Sequence, residues 1–321
     1  MSSPNNFIFL PEIFDIILSF LANKKKESMK SIFKLFFVSR DSLKFVTMKE
    51  IYNKNTLSYV FKKIAGSKKK ISSKEIIDTL VKKVHPKLCK NFGVKNSIEN
   101  SNYDFMEIIL KNISQVKINK EQILQIVKKN DHRMLELIEK YIVIDYSVNS
   151  IQIIECILAK NSFEILKLVL KDPNVNPGMI QNYPIRIASY YGHYDIVKLL
   201  LEDSRVNPGD LKSCAIGWAS EKGHENIVEL LLNNPKVNPE DADNFALKSA
   251  VEGMHYKIVE LLLDDLRVDP NALNGEIFYI AAKSKNIDIL ELLLKDSRTD
   301  LSTMNAKYYF FVKNFIFVSK K

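Results

Sequence analysis

The chain has few of the residues from which covalent frameworks are built. Among 321 residues there are only three cysteines, Cys89, Cys156 and Cys214, which lie far apart and form no Cys-x-x-Cys pair. Neither a disulfide framework nor a zinc knuckle is therefore indicated. Isolated thiols of this kind predict a reducing, intracellular location, cytoplasmic or nuclear.

Long hydrophobic runs are also absent. The two most apolar windows, residues 7–21 and 308–318, are too short to span a bilayer, and both contain charged side chains. No basic stretch precedes the first window, as a secretory signal would require. We therefore predict a protein without a membrane partner.

The sequence contains none of the short motifs that mark common active sites. It has no Gly-rich phosphate loop, no Gly-x-Ser-x-Gly and no His-Glu-x-x-His, since His224-Glu225 has no second histidine. His193 and His255 lie 31 residues to either side of His224. Stacked helices lie about 8–10 Å apart, whereas two nitrogen ligands of one zinc ion must lie within about 4 Å of each other. The sequence therefore predicts no enzyme, no cofactor and no metal site.

Positive charge is concentrated in the first third of the chain. Residues 1–100 contain 20 Lys and Arg against 8 Asp and Glu, whereas the remaining residues contain 27 against 30. The run Lys68–Lys70 has no interleaved aromatic residues and no base-reading motif beside it. We interpret this run as a solvated loop rather than as a nucleic-acid contact or a nuclear-localisation signal. The nearly neutral remainder is typical of a protein-binding surface.

What the sequence does contain is an internal repeat of 31 residues. Short apolar runs recur at this spacing, and Val-Asn-Pro or a close variant follows most of them. A period between about 20 and 50 residues predicts a stacked repeat array. Within one run, Ile227, Leu230 and Leu231 follow helical i, i+3, i+4 spacing, which predicts a loop–helix–turn–helix unit. The apolar runs begin at the pairs Ile165/Leu166, Ile196/Val197, Ile227/Val228, Ile258/Val259 and Ile289/Leu290.

The segments GHYDIVKLLLEDSRVNP at 192–208 and GHENIVELLLNNPKVNP at 223–239 resemble the second half of an ankyrin repeat. This resemblance implies an all-α, ankyrin-type helical solenoid of about six repeats across residues 101–305, with degenerate units before about residue 160. The unit is shorter than the usual length of about 33 residues, so short hairpin loops are expected. In this family the histidine after the glycine hydrogen-bonds the adjoining turn, which implies a structural role for the histidines. The sequence style also resembles the ankyrin-repeat proteins of the large DNA viruses of amoebae.

The beginning of the chain resembles a different family. Leu10-Pro11 opens an amphipathic helix that runs to Leu21, and with the later segment Phe36-Phe37-Val38-Ser39-Arg40 it resembles an F-box. The resemblance implies that residues 1–50 dock on the small adaptor subunit of a cullin–RING (SCF-type) ubiquitin ligase. The docking residues would be Leu10, Pro11, Ile13, Ile16, Ile17 and Leu21. The alternative is a helical cap on the repeats. We interpret residues 51–100 as a basic helical linker and residues 306–321 as an aromatic C-terminal cap.

The ankyrin resemblance also identifies a candidate target-binding surface. In such arrays the two positions before Gly-His and the positions near the hairpins are exposed and line the concave side. Exposed tyrosines are favoured interface anchors, although one of two adjacent tyrosines could instead pack on the neighbouring repeat. Trp218 falls on an apolar helix position and is predicted to be core. The candidate target-binding residues are Tyr190, Tyr191, Glu221, Lys222, Glu252 and Lys283, with Asn182 and Asn244 near the hairpins.

These features together predict a monomeric, non-catalytic interaction protein. Its repeats would hold a target protein, and its F-box-like module would recruit a ubiquitin ligase. The alternative is an ankyrin scaffold that sequesters a host protein without recruiting a ligase. The identity of the target is not predictable, because a repeat array recognises its partner by a surface shape that no motif records.

Overall fold

The computed structural model of the chain describes residues 93–319. The F-box-like module and most of the predicted linker lie outside these residues. The same is true of the predicted ligase contacts, Leu10, Pro11, Ile13, Ile16, Ile17 and Leu21. Within residues 93–319 the chain is helical and contains no β-strand. Two compact units meet in the sequence after Val148. None of the described helices is both long and apolar enough to cross a membrane.

The described part of the first unit, residues 93–148, contains two helix pairs. They are formed by α1 (Val94–Asn100), α2 (Tyr103–Asn112), α3 (Lys120–Lys128) and α4 (His132–Glu139). Helix α1 packs against α3 and α2 packs against α4, so the two pairs stack in two layers. Val94 and Ile98 are buried and give α1 its apolar stripe. The first pair therefore begins before residue 101, where the repeats were predicted to start.

The second unit contains five helix pairs and a closing helix. Its first helices are α5 (Ser150–Lys160), α7 (Met179–Tyr191), α9 (Asp210–Lys222), α11 (Asp241–Glu252) and α13 (Glu276–Lys283). Its second helices are α6 (Phe163–Val169), α8 (Tyr194–Leu201), α10 (Glu225–Leu232), α12 (Tyr256–Asp264) and α14 (Ile287–Lys295), and α15 (Ala306–Ser319) follows. Each first helix packs on the next first helix, and each second helix on the next second helix. The predicted helical solenoid is therefore confirmed for this unit.

The apolar pairs that revealed the repeat form the core between the two layers. In α8, Ile196 and Val197 are fully buried together with Leu200, which lies one turn later. All ten residues of the five pairs are buried in the same way. Removing one such side chain from water stabilises the fold by about 1.5–3 kcal/mol. Burial at a fixed 31-residue interval is therefore the reason that the repeat is visible in the sequence.

The turn between the two helices of a pair is the same in both units. One residue adopts positive φ, and the next residue begins the second helix as its N-cap. In the first unit Asn130 takes the left-handed position, and Asp131 caps α4 by accepting a hydrogen bond from Met134 N at 3.1 Å. Asn130-Asp131 thus stands where Gly-His stands in the later repeats. The left-handed residues are Ser101, Asn130, Asn161, Gly192, Gly223, Met254 and Lys285.

Helices α7, α9 and α11 each begin with a left-handed turn in place of a β-hairpin. The turns span residues 180–182, 211–213 and 242–244, with φ between 49° and 58°. Left-handed backbone costs about 1–2 kcal/mol for each residue other than glycine, so further contacts must hold it. In α7 the right-handed helix begins directly after the turn. Pro184 consequently lies in the first helical turn, where its missing N–H is harmless.

Hydrogen bonds from the next repeat hold each left-handed turn. Asn207 N donates to Asn182 Oδ1 at 2.7 Å. Asn238 N donates to Ser213 Oγ at 3.0 Å. The donor in both cases is the central residue of Val-Asn-Pro. The motif therefore fixes the loop of one repeat to the first helix of the preceding repeat.

A second contact joins the same loops, which we call the loop bridge. The Arg205 guanidinium pairs with Asp203 at 2.7 Å, and its Nη1 donates to the carbonyls of Pro173 and Val175 at 3.0 Å. This ion pair lowers the pKa of the Asp203 carboxyl below its ordinary value. The bridging side chains of successive repeats are Arg205, Lys236, Arg267 and Arg298, and they donate to the carbonyls of Val175, Val206, Val237 and Val268.

Candidate protein-binding face

The predicted target-binding residues occupy the last turns of consecutive first helices. Tyr190 and Tyr191 end α7, Glu221 and Lys222 end α9, and one residue each ends α11 and α13. Because α7, α9, α11 and α13 pack side by side, these last turns are neighbours. Tyr190 is half-buried. The other predicted last-turn residues are exposed, namely Tyr191, Glu221, Lys222, Glu252 and Lys283.

The two tyrosines have different surroundings. The ring of Tyr190 meets the ring of Trp218 edge-on, with centroids 5.9 Å apart, so this tyrosine packs on the neighbouring repeat. Tyr191 is 57% exposed, and its ring stacks on the imidazole of His193 at 5.8 Å. The two tyrosine rings also meet edge-on at 5.1 Å. Tyr191 is therefore a large exposed ring whose orientation is fixed from two sides.

Trp218 was predicted to be core, and this prediction is wrong. The side chain is half-buried and lies on the exposed side of α9, between Tyr190 and Arg186. The spacing of apolar residues identifies the apolar side of a helix. It does not show which residue lies at the edge of that side, where a side chain is only half-buried. The indole contributes a broad, partly exposed surface beside the two tyrosines.

Two cations lie against these rings. Lys222 Nζ is 4.6 Å from the ring centroid of Tyr190 and 2.7 Å from a carboxylate oxygen of Glu221. The Glu221 hydrogen bond, followed by that of Tyr190, raises the pKa of the Lys222 ammonium, so this side chain stays charged at neutral pH. The negative face of an aromatic ring attracts a cation placed over it. The guanidinium carbon of Arg186 is 5.4 Å from the Trp218 ring centroid.

Arg186 connects this surface to the left-handed turn. Its side chain is buried, and it donates through Nε to the Gln181 carbonyl at 3.1 Å and through Nη2 to the Ile180 carbonyl at 3.3 Å. Arg186 was not identifiable as a site residue from the sequence, because only the structure reveals the left-handed carbonyls that it binds. The sequence signal for Arg186 was its position four residues before Tyr190, which places the two side chains on the same face of a helix.

The aromatic surface continues onto the next repeat. A Cβ atom at Gly217 would lie 2.1 Å from Cδ1 of Phe245, so the Phe245 ring of α11 covers this glycine. Phe245 is itself half-buried. We call the surface made by these side chains the aromatic face. Its members are Arg186, Tyr190, Tyr191, Trp218, Lys222 and Phe245.

A second group of rings lies at α13 and α15. Tyr279 of α13 stacks on Tyr308 of α15 with centroids 4.8 Å apart, and it meets Phe311 edge-on at 5.0 Å. Lys283 Nζ lies 5.9 Å from the ring centroid of Tyr279. Between the two groups of rings, Lys248 pairs with Glu276 at 3.1 Å. The predicted residue Lys283 thus belongs to a site where α15 covers the last repeat.

Asn182 and Asn244 are not on the exposed surface, so their predicted exposure is wrong. Both side chains are buried. Asn182 donates to the Asp210 carboxylate and accepts from Asn207 N, and Asn244 accepts from Asp269 N at 3.3 Å. The prediction placed these residues near a hairpin tip. The left-handed turn instead directs them toward the next loop.

The column of histidines forms hydrogen bonds to the preceding repeat, as the ankyrin resemblance implied. His224 Nε2 is 3.0 Å from the Tyr190 carbonyl, and His255 Nε2 is 3.1 Å from the Glu221 carbonyl. These bonds fix the last turns that carry the aromatic face. Burial lowers the pKa of His193, which favours its neutral form. Within residues 93–319 no group of three or more His, Cys, Asp or Glu could hold a metal ion.

Cys214 lies beside Arg186 at the edge of the aromatic face and is half-buried. Burial raises the pKa of its thiol above the ordinary value, although Arg186 acts in the opposite direction. The thiolate is the reactive form of cysteine, so a raised pKa makes this residue a poor nucleophile at neutral pH.

Comparison with known proteins agrees with this architecture. Three overlapping segments, residues 153–243, 185–274 and 216–305, match the family model described as ankyrin repeats (3 copies). A search of curated proteins gives no match to the chain. The matched residues lie in the second unit and carry the aromatic face. This unit is an ankyrin-type helical solenoid, and its ankyrin repeats indicate a function in protein–protein interaction.

Proposed function

We propose that this protein is a non-catalytic adaptor that binds a target protein through the aromatic face. The observation that carries the proposal is the exposed ring of Tyr191, fixed by His193 and Tyr190 beside the half-buried Trp218. Tyrosine, tryptophan and arginine are the residues most often found at the energetic centres of protein interfaces. Rings that are already immobilised lose little conformational entropy on binding, which favours affinity.

The second helices offer a less suitable surface. The exposed side chains of these helices are mostly charged, as with Asp195, Lys198 and Glu229. Charged residues are depleted at the centres of interfaces and common on solvated surfaces. The aromatic face is therefore the stronger candidate within the second unit.

A site-specific crosslink tests the target-binding proposal. With a photoreactive phenylalanine analogue at position 191 of the full chain, we expect a defined protein to be crosslinked in cells. Tyr191→Ala should then weaken binding of that protein by about tenfold. Tyr256→Ala is the matched control, because Tyr256 is a similarly exposed tyrosine on α12 that is not a member of the aromatic face. Equal binding by both variants would reject the aromatic face.

We further propose that the adaptor serves a cullin–RING ubiquitin ligase. Its support is the F-box-like sequence, whose apolar residues Leu10, Pro11 and Ile13 suit docking on the small adaptor subunit. We expect that subunit and a cullin to copurify with the full chain. Leu10→Ala with Pro11→Ala should abolish their recovery, whereas Tyr191→Ala should not affect it. Failure to recover either protein with the intact chain would reject ligase recruitment.

The alternative is a scaffold that sequesters its target without a ligase, with residues 1–50 serving as a cap. Deleting residues 1–50 separates the two possibilities. Loss of a cap lowers the melting temperature of the repeats, because end repeats protect their neighbours. Loss of a separate docking module leaves that temperature nearly unchanged.

A further inference from the structure

The first unit contains an apolar groove between two successive loops. Its volume is about 480 Å³, and it is lined by residues 116–120, Ile123, residues 142–145 and Val148. Val116, Ile123 and Ile144 are buried in its floor. The groove is formed by residues 93–148, whereas the aromatic face belongs to the second unit.

One wall of the groove has the side-chain alternation of a β-strand. Val143 is 99% exposed, Ile144 is buried, Asp145 is exposed and Tyr146 is buried. Alternation with a period of two is the pattern of an extended chain with one face covered. Among the described residues, the backbone N–H groups of Val143, Ile144 and Asp145 donate to no backbone carbonyl. This wall therefore offers backbone groups next to apolar floor residues.

In the second unit, a side chain occupies the corresponding gap between successive loops. There, the loop bridge joins each loop to the preceding one, as Arg205 does with the Val175 carbonyl at 3.0 Å. In the 31-residue register, Tyr141 and Val143 stand where Asp203 and Arg205 stand two repeats later. Neither residue supplies the cation that the bridge requires. The space that an arginine or lysine side chain fills in four later loops is therefore open to a bound ligand at this position.

The size of the gap suits an extended chain. Neighbouring helices lie about 8–10 Å apart, and neighbouring strands lie about 4.7–4.9 Å apart. The spacing of successive repeats is thus about twice the spacing of strands. A single extended segment fits between two successive loops and reaches the backbone of both.

We propose that this groove binds an extended peptide segment of a partner protein, with alternate apolar side chains directed into the floor. The peptide backbone pairs with residues 143–145, and its N–H groups occupy the place that the guanidinium takes in later repeats. Strand addition of this kind obtains affinity from backbone hydrogen bonds and specificity from alternate side-chain pockets. This binding site is independent of the aromatic face.

A displayed library of random peptides, about 12 residues long, tests the proposal on the full chain. Such a peptide, at about 3.3 Å per residue, is long enough to cross both loops. We expect enrichment of sequences that alternate apolar and polar residues. A synthetic peptide of the enriched sequence should slow amide exchange at residues 143–145. The synthetic peptide should bind the Tyr191→Ala variant as tightly as it binds the unaltered chain. This result would show that the peptide does not bind at the aromatic face.

Two further measurements can overturn the proposal. Tyr141→Asp with Val143→Arg builds the missing loop bridge, and we expect it to weaken peptide binding by about tenfold. Ile151→Arg, a change from an exposed apolar residue to arginine outside the groove, is the control for added charge. The same peptide with N-methyl groups on alternate residues should also bind about tenfold more weakly, whatever the folding of the variants. The absence of an enriched peptide would reject the proposal, and so would undiminished binding in either test.

Discussion

Met254 shows how one left-handed residue depends on its neighbour in the next repeat. Gly192 and Gly223 occupy the same position in their repeats. A Cβ atom on either would lie 2.6 Å from Cε1 of the histidine in the next repeat, which is His224 for Gly192 and His255 for Gly223. The residue facing Met254 in this register is Asn286, which has no ring. Space for a side chain therefore exists at position 254, although its φ of 58° still favours glycine.

Replacing Met254 with glycine should stabilise the second unit by about 1 kcal/mol, because the left-handed strain is removed. Met254→Ala is the control, since it shortens the side chain and keeps the strain. Gly223→Ala should destabilise the unit, because its new Cβ meets the ring of His255. Urea unfolding of the full chain, followed by circular dichroism, measures all three. A Met254→Gly variant no more stable than Met254→Ala would contradict this explanation.

Two buried serines provide a second test at the same scale. Ser213 Oγ donates to Asp241 at 2.7 Å and accepts from Asn238 N, whereas the hydroxyl of Ser220 is buried without a partner. Ser213→Ala should therefore cost about 1–3 kcal/mol of unfolding free energy. Ser220→Ala should be neutral or stabilising, because it removes an unsatisfied group. Equal losses in the two variants would show that packing, and not hydrogen bonding, decides both.

At the scale of elements, the loop bridge recurs between successive loops, but the number of its hydrogen bonds and ion pairs differs from repeat to repeat. Arg267 donates to the carbonyls of Val237 and Leu232 while it pairs with Asp265. Lys236, in the preceding loop, has a single ammonium and no carboxylate two residues before it, because Asn234 stands there. A guanidinium has five donors in a planar fork and is suited to several acceptors at once.

Converting the weaker bridge to the stronger form should raise stability. We expect Asn234→Asp with Lys236→Arg to increase the free energy of unfolding by up to about 1 kcal/mol, a modest effect because the site is largely exposed. Asn234→Asp alone should give less than half of that gain. Thermal melts of the full chain, with high salt as a second condition, provide the measurement. A double variant no more stable than the single one would show that the fork geometry is unimportant.

The bridges also make stability dependent on pH. Hydrogen bonds from Arg205, Arg267 and Arg298 lower the pKa values of the paired aspartates in the folded state. In the unfolded chain these carboxyls titrate near pH 3.9. Their contribution is therefore complete above about pH 4 and is lost as the pH falls through the lowered folded-state pKa values.

We expect Asp265→Asn to be less stable than the unaltered chain at pH 7, with the difference shrinking toward pH 2. The unaltered chain loses the charge at position 265 in this range, so the two proteins become alike. Urea midpoints measured between pH 7 and pH 2 give the comparison. A difference that stays constant with pH would assign the effect to packing and not to the ion pair.

The sequence predicts the helices well and the left-handed turns not at all. The paired apolar residues identify the second helices, because burial acts on single residues at a fixed interval. The turn at residues 211–213 consists of Leu211, Lys212 and Ser213, none of which signals positive φ. The hydrogen bond from Asn238 and the packing of the next repeat select this conformation. Such a tertiary cause leaves no local trace in the sequence.

At the scale of the whole molecule, the stability of a repeat array depends on its ends. Helix α15 takes the place of a further first helix and covers α13 through Tyr308 and Phe311. The aromatic C-terminus was predicted to act as a cap. Val312, which is buried, adds to that contact surface.

Deleting residues 306–321 should therefore loosen the last repeat selectively. Amides in α13 and α14 should exchange about tenfold faster or more, while amides in α7 and α8 keep their protection. Hydrogen exchange with mass spectrometry resolves the two regions. Restoring α15 with Tyr308→Ala and Phe311→Ala should give an intermediate result. Uniform loss of protection across all repeats would mean that the unit unfolds as one body, without a local cap.

The candidate site was only partly predictable at this scale. Tyr191, Glu221 and Lys222 could be located because their positions relative to Gly-His are fixed by the repeat. The roles of Arg186, Trp218 and Phe245 could not, because each depends on contacts with the adjacent repeat. Contacts between repeats involve residues about 30 positions apart, and a single sequence does not show which of them meet.

The loop bridge also bears on how this array is able to change over generations. The carbonyls of Val175, Val206, Val237 and Val268 are equivalent acceptors, each reached by a side chain 30 residues later. Unequal recombination that removes or duplicates 31 residues would leave every donor facing an acceptor of the same kind. A change of any other length would separate them. Whole repeats are thus interchangeable parts, so a lineage can lengthen, shorten or reorder its binding surface while the framework stays the same.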